Sequence, residues 1–227
     1  SYLDTLTEPY AMLMLNVIYR RFGINEFADS QQIYDQALAS SSGANASLLR
    51  VFRRITSYEN TLQAGDMTAV TADTDKITVP ALYCDQFGLE EEYPELLAQA
   101  TDRKGYMLTH VLLATIWMQE NNYQPHLSSG FLEGICQDTD DLIGNDPVVT
   151  DLELEAAAFL YLAGKGSMVD SVFIQKVVEA QNVDGGWCDP YVSLDSNWHS
   201  SVLALLLLLH VQNPAGAYPS MLAQPMQ

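Results

Sequence analysis

His199–Leu207 reads HSSVLALLL, and the fold follows from setting it beside two other stretches. His110–Met118 is HVLLATIWM and Glu155–Ala163 is EAAAFLYLA. Each starts on a polar, proton-active side chain and then runs apolar on almost every side. A helix of that kind has no solvent face and is buried nearly all round. The leading residues are 45 and 44 positions apart (155 − 110 and 199 − 155). That matches the repeat of about 40–47 residues seen in stacked helix pairs. Between them, Ser128–Ile143 and Ser167–Gln181 are amphipathic. Buried helices alternating with half-exposed ones predict an array with an inner and an outer layer. Glu8–Asn16, EPYAMLMLN, fits the inner template too.

Working outward, the periodicity predicts helices over 4–22, 29–39 and 46–57. Gly23 is a C-terminal stop, Asp29-Ser30 a cap, and Ser40-Ser41-Ser42-Gly43 a break. Residues 60–78 are dominated by Asp, Thr and Gly without a sustained period and read as a loop with room for a short helix. Helices resume over 79–87, 91–100, 105–121, 128–143, 150–163, 167–181 and 197–211. No stretch alternates apolar and polar residues for long, and no Asn-Gly or Asp-Gly turn joins two β-branched runs. The expected fold is all-α: antiparallel helix pairs in an arc or toroid. Residues 1–212 form one domain, followed by an irregular tail, 213–227, rich in Pro, Ala and Gln.

Charge narrows the partners. Ten Lys and Arg stand against 29 Asp and Glu, a net charge of −19. Such a surface repels phosphate backbones and anionic lipid, so no nucleic-acid partner is expected. Metal cations and neutral small molecules, carbohydrate included, are the easier ligands. The longest apolar run, Val202–Leu209, is far short of the ~20 residues that span a bilayer. Three cysteines, Cys84, Cys136 and Cys188, are too few for a disulfide framework. The chain opens at Ser1-Tyr2-Leu3 without Met, which suggests a trimmed or mature chain. Few Lys with abundant Gln, Asn, Ser and Thr lean the expectation towards a secreted or periplasmic protein. Oligomeric state is not legible.

Gln181–Trp187, QNVDGGW, resembles the Gln-…-Asp-Gly-Gly-Trp signature of terpenoid cyclases, protein prenyltransferases and complement-type thioester domains. These share an α/α-toroid, and the resemblance covers about Gly105 to Gln212. It implies architecture more than chemistry: Gln181 bonding loose carbonyls, two glycines at angles barred to other residues, and Trp187 packed between repeats. The segment DSNWHSSVLALL resembles the prenyltransferase helix that supplies a zinc-binding His, here His199. That family's Asp and Cys ligands have no clean match, since Cys136 and Asp138 stand in reverse order. Asp138, Asp140 and Asp141 spell the Asp-x-Asp-Asp of squalene-type cyclases, but at the end of an outer helix. The Cys-Gly-Glu-Gln of thioester domains is absent. Toroidal polysaccharide lyases set Tyr and His beside Arg, and few Arg fall near the expected cavity.

Repeat-equivalent residues on inner helices converge on one end of a toroid's cavity. His110, Glu155 and His199 are therefore the candidate metal ligands, with Glu8 as a further member. Two imidazoles and a carboxylate form a common zinc set that leaves a position for water, and they also suit other divalent metals. Metal-bound water has a pKa near ~7 and serves hydrolysis. Glu153 and Asp189 are the candidate catalytic carboxylates. Asp189, Asp195 and Cys188, in the loop before His199, could also ligate or support the ligands. Trp187, Trp198, Tyr161 and Cys188 are the candidate ligand-binding residues. The leading expectation is a metal-dependent hydrolase. The alternatives are a non-catalytic module holding a hydrophobic or carbohydrate ligand, and an isoprenoid cyclase or transferase. His126 and His210 read as structural or surface residues. No nucleophile elbow, phosphate loop or Cys-x-x-Cys occurs.

Overall fold

The computed structural model describes residues 2–123, 127, 130–214 and 216–224. Among them the chain is all-α, with an isolated antiparallel bridge between Trp187 and Asn197 and no strand. The helices are α1 (Pro9–Phe22), α2 (Ser30–Ser40), α3 (Gly43–Phe52), α4 (Asp73–Leu82), α5 (Cys84–Phe87), α6 (Tyr93–Asp102), α7 (Tyr106–Glu120), α8 (Phe131–Asp140), α9 (Asp151–Leu162), α10 (Ser171–Glu179) and α11 (Trp198–Gln212). His126 and the predicted helix start at Ser128 lie outside the described residues.

Local chemistry sets most boundaries. Pro9 sits at the first position of α1, where its missing N–H costs nothing and its fixed φ suits the helix. The turns before it, predicted as part of that helix, form a separate 3₁₀ segment, Tyr2–Thr5. Gly23 ends α1 at φ +69°, a left-handed cap that bonds the Tyr19 carbonyl. A full capping box opens α9, with the Thr150 hydroxyl accepting from the Glu153 amide and the Glu153 carboxylate accepting from Thr150. Asn197 caps α11 by accepting from the Ser200 amide.

One boundary differs from expectation: the helix expected from Val79 begins at Asp73. The predicted loop over 60–78 contains a 3₁₀ turn, Asp66–Ala69, and the whole first turn of α4. Asp73, Thr74, Asp75 and Lys76 hide that turn from a periodicity reading because they are all polar. Pro80 hides the rest, since its ring removes the amide that would bond the Lys76 carbonyl.

The three apolar stretches behave as their composition demands. Every residue of α7 from Leu108 to Met118 is buried except His110. Glu153 to Leu160 of α9 are buried throughout. The core helices neighbour one another in the order α4, α7, α9, α11, α1. Outside them, α2 packs on α1, α6 on α7, and α8 on both α7 and α9. These are the buried and half-exposed layers the repeat implied. Residues 216–224 have no regular structure, yet Met221 and Leu222 are buried against the core.

Candidate functional site

The packing of α7, α9 and α11 side by side brings their leading residues together. His110 Nδ1 lies 3.4 Å from Glu155 Oε1, and His199 Nε2 lies 3.3 Å from Glu155 Oε2. Glu155 is buried at the centre, with 1 % of its side chain exposed, between two part-exposed imidazoles. The hydroxyl of Thr109 donates to Glu155 Oε1 as well.

Each imidazole has a second partner. Nδ1 of His110 is 2.8 Å from the Tyr106 carbonyl, one turn back on α7. A carbonyl only accepts, so Nδ1 of His110 carries a proton. Nδ1 of His199 is 2.8 Å from Asp151 Oδ2. Asp151 is itself gripped, by the Ser200 hydroxyl at 2.6 Å on Oδ1 and the Tyr106 hydroxyl at 2.8 Å on Oδ2. His199 thus has a carboxylate at each ring nitrogen, which suits the doubly protonated ring.

The electrostatics follow from that pairing. Burial opposes charge on His199, but the hydrogen bonds and charges of Asp151 and Glu155 outweigh it and lift the imidazole to about 9. Burial would raise Glu155, yet the two histidines bring it down to about 2. Asp151 is lowered against its own burial by His199, Ser200 and Tyr106. Burial, joined by its bond to the Asp151 carboxylate, pushes the Tyr106 hydroxyl up.

The cluster opens onto a cavity of about 390 Å³. Tyr10, Leu13 and Met14 of α1, Leu113 and Trp117 of α7, Phe159 of α9, and Trp198, Val202 and Leu203 of α11 supply most of its wall. Its acidic and imidazole lining residues are Asp75, His110, Glu155 and His199, and Tyr10 adds a phenol. Asp75 has no hydrogen bond or ion pair among the described residues, and burial raises its carboxyl, an effect partly offset by His110. No family model, curated protein or solved structure matches this chain.

The other candidates are dispersed. Trp198 lines the cavity with its ring edge-on to His199, centroids 5.1 Å apart. Trp187 lines a different place: it is buried and donates Nε1–H to the Val177 carbonyl at 2.7 Å. Tyr161 packs on His210. Glu153 is spent on the cap of α9 and on the Gly144 amide at 2.8 Å. Glu8 precedes α1 as its cap residue, and Tyr10, two positions on, reaches the cavity in its place. Asp189 stands one bond from the cluster, accepting from the Asp151 amide at 3.3 Å. Cys188 is a part-exposed free thiol, and Cys84 and Cys136 are buried free thiols. Asp140 and Asp141 of the acidic string border a separate depression with Lys176. His210 is buried, with Nδ1–H bonded to the Leu206 carbonyl and Nε2 accepting from Arg21 at 3.2 Å.

The Asp-Gly-Gly-Trp segment is architectural. Asp184 Oδ1 accepts from the Gly186 amide and the Ser196 hydroxyl, and Gln181 donates to the Gly185 carbonyl. The Trp187 amide then docks on Ser201 of α11 at 2.9 Å. This loop helps place the start of α11, and so His199. Sequence reasoning missed Thr109, Tyr106 and Asp75, and it missed the pairing of Asp151 with His199. Asp151 had a usable signal: it lies four residues before Glu155, on the same helical face.

Proposed function

We propose that this protein binds a small, largely apolar molecule in the cavity ringed by its core helices. The ligand's polar end lies at the His110–Glu155–His199 cluster. One observation carries the reading: the wall is apolar and aromatic over most of its extent, and its carboxylate and imidazole groups converge from α4, α7, α9 and α11. Burying an apolar ligand there supplies the affinity, and the few placed polar groups fix its orientation. A hydroxyl end group suits this end of the cavity, since the Asp75 carboxyl lines it and makes no hydrogen bond or ion pair among the described residues. We read the arc as a partial α/α-toroid, in keeping with the resemblance of its Asp-Gly-Gly-Trp loop.

The test uses the protein's own reporters, because Trp117 and Trp198 both line the cavity. Titration with straight-chain and isoprenoid alcohols should change tryptophan emission saturably, with matching heats by calorimetry. Trp198→Phe should remove much of the signal, and neutral oligosaccharides should give none. An apolar panel that leaves emission and heat unchanged removes the reading; oligosaccharide binding in its place would move it to a carbohydrate module.

A second reading, a divalent-metal site serving hydrolysis, has specific support. Each imidazole spends Nδ1 on an oxygen acceptor, the usual outer contact of a metal-bound histidine. The 3.3 Å from His199 Nε2 to Glu155 Oε2 is also close to the edge, about 3.3 Å, of a ligand tetrahedron around zinc at about 2.0–2.1 Å. It stands second because, among the described residues, no group of three or more His, Cys, Asp and Glu is arranged to hold an ion. Stoichiometric zinc in the purified protein, lost in both His110→Ala and His199→Ala, would reverse the order.

A further inference from the structure

One piece of the cavity wall is not helical. Met221, from the irregular segment after α11, lines the cavity and is 1 % exposed. The Trp117 indole N–H lies 3.3 Å from its sulfur. Trp117 follows His110 on α7 by seven residues, a rise of about 10 Å at ~1.5 Å per residue. Met221 therefore stops the cavity at the end away from the titratable cluster.

The way this segment is held decides what it can do. Arg20 donates to the Ser220 and Met221 carbonyls at 3.3 and 2.6 Å, and Arg21 to the Pro219 carbonyl at 2.6 Å. The Glu120 carboxylate accepts the Met221 and Leu222 amides at 2.7 and 2.8 Å. The Ala223 amide donates to the Ile55 carbonyl at 2.9 Å. Each of these bonds reads main chain. The clamp is therefore indifferent to the side chain at 221, while the cavity is not.

Resting on the apolar-ligand reading, we propose that Met221 is the length gauge of the site: its side chain sets how long a molecule fits between the cluster and the clamped segment. Changing that side chain moves the stop without releasing the segment. Each methylene that finds room tightens binding about fourfold, and the gain ends where the chain meets residue 221.

The experiment is a binding series with n-alkanols from hexanol to tetradecanol, read by tryptophan emission and calorimetry. Wild type should tighten with chain length and then level off or weaken. Met221→Ala removes three heavy atoms and should move that limit up by about two or three carbons. Met221→Phe, which is bulkier, should move it down. Met221→Val gives a smaller upward shift and serves if the alanine variant does not fold, as judged by its thermal transition. Opposite shifts from larger and smaller side chains are not expected of a residue that only stabilises the fold. A limit that stays at the wild-type length in every folded variant overturns the gauge and leaves the binding reading intact. A wild-type protein that binds no alkanol overturns both.

Discussion

His199 is held by two carboxylates, and this sets its behaviour as a single residue. Both ring nitrogens should carry protons at neutral pH, with deprotonation near pH 9, read directly from imidazole ¹⁵N shifts. A folded value above the free value of about 6.5 means the pairing stabilises the protein fully below pH 6.5. That stability drains away as pH rises towards and through 9. A ring found singly protonated at pH 7 would contradict the pairing, and a metal-bound Nε2 would be one cause. Glu155 gives the sharper energetic test. It is buried, accepts from Thr109 and faces both histidines. Removing one member of such a pair strands the others, so Glu155→Ala should cost about 3–5 kcal/mol in urea unfolding. A loss below about 1 kcal/mol would mean that water already screens the cluster.

At the scale of elements, the loop into α11 is the most constrained joint. A methyl group on Gly186 would meet Ser196 Cβ at 2.6 Å and Ser201 Oγ at 2.9 Å. Ser201 is where the Trp187 amide docks, so the intruding atom would lift the loop off α11. Gly186→Ala should cost about 1–3 kcal/mol, the usual range for overpacking, and should also weaken alkanol binding by disturbing His199. Unchanged melting and binding would show that the loop is free to yield. Three core helices, α7, α9 and α11, were legible almost to the residue from their long apolar runs, with capping residues marking the starts of α9 and α11. Expected spans of 105–121, 150–163 and 197–211 became Tyr106–Glu120, Asp151–Leu162 and Trp198–Gln212. The repeat spacing also foretold that His110, Glu155 and His199 would meet. Their partners were less legible. Asp151 matters because α11 turns Ser200 and His199 towards it, and a spacing along one chain does not report such a facing. Asp75 sat in a polar helix start interrupted by Pro80, where apolar periodicity has nothing to detect. The docking of the tail was invisible for a different reason: its grip is on main-chain groups, which carry no residue code.

The whole molecule is governed by how few cations it has and where they are spent. Of the ten Lys and Arg, Arg20 and Arg21 hold the C-terminal segment. Arg50, Arg53 and Arg54 are committed to Asp66, Asp35 and Asp85. Arg103 and Lys76 share Asp73. These ion pairs tie α2, α3, α4 and α5 to their neighbours, but they answer only four of the 29 acidic residues. Most of the remaining carboxylates repel one another across the surface, and that repulsion is lower in the expanded, unfolded chain. Salt should therefore stabilise this protein. Raising ionic strength from about 0.01 to about 0.15 M shortens the screening length from about 30 to about 8 Å. It weakens repulsion between exposed acids far more than it weakens buried contacts such as those of Glu155. A gain of order 1 kcal/mol corresponds to ~2–4 °C in Tm for a chain of this size. Sodium chloride and sodium bromide should give nearly the same rise, because the effect depends on ionic strength and not on ion type. A Tm that falls over this range would mean that the surface ion pairs of Asp35 and Asp73 contribute more than the repulsion they oppose.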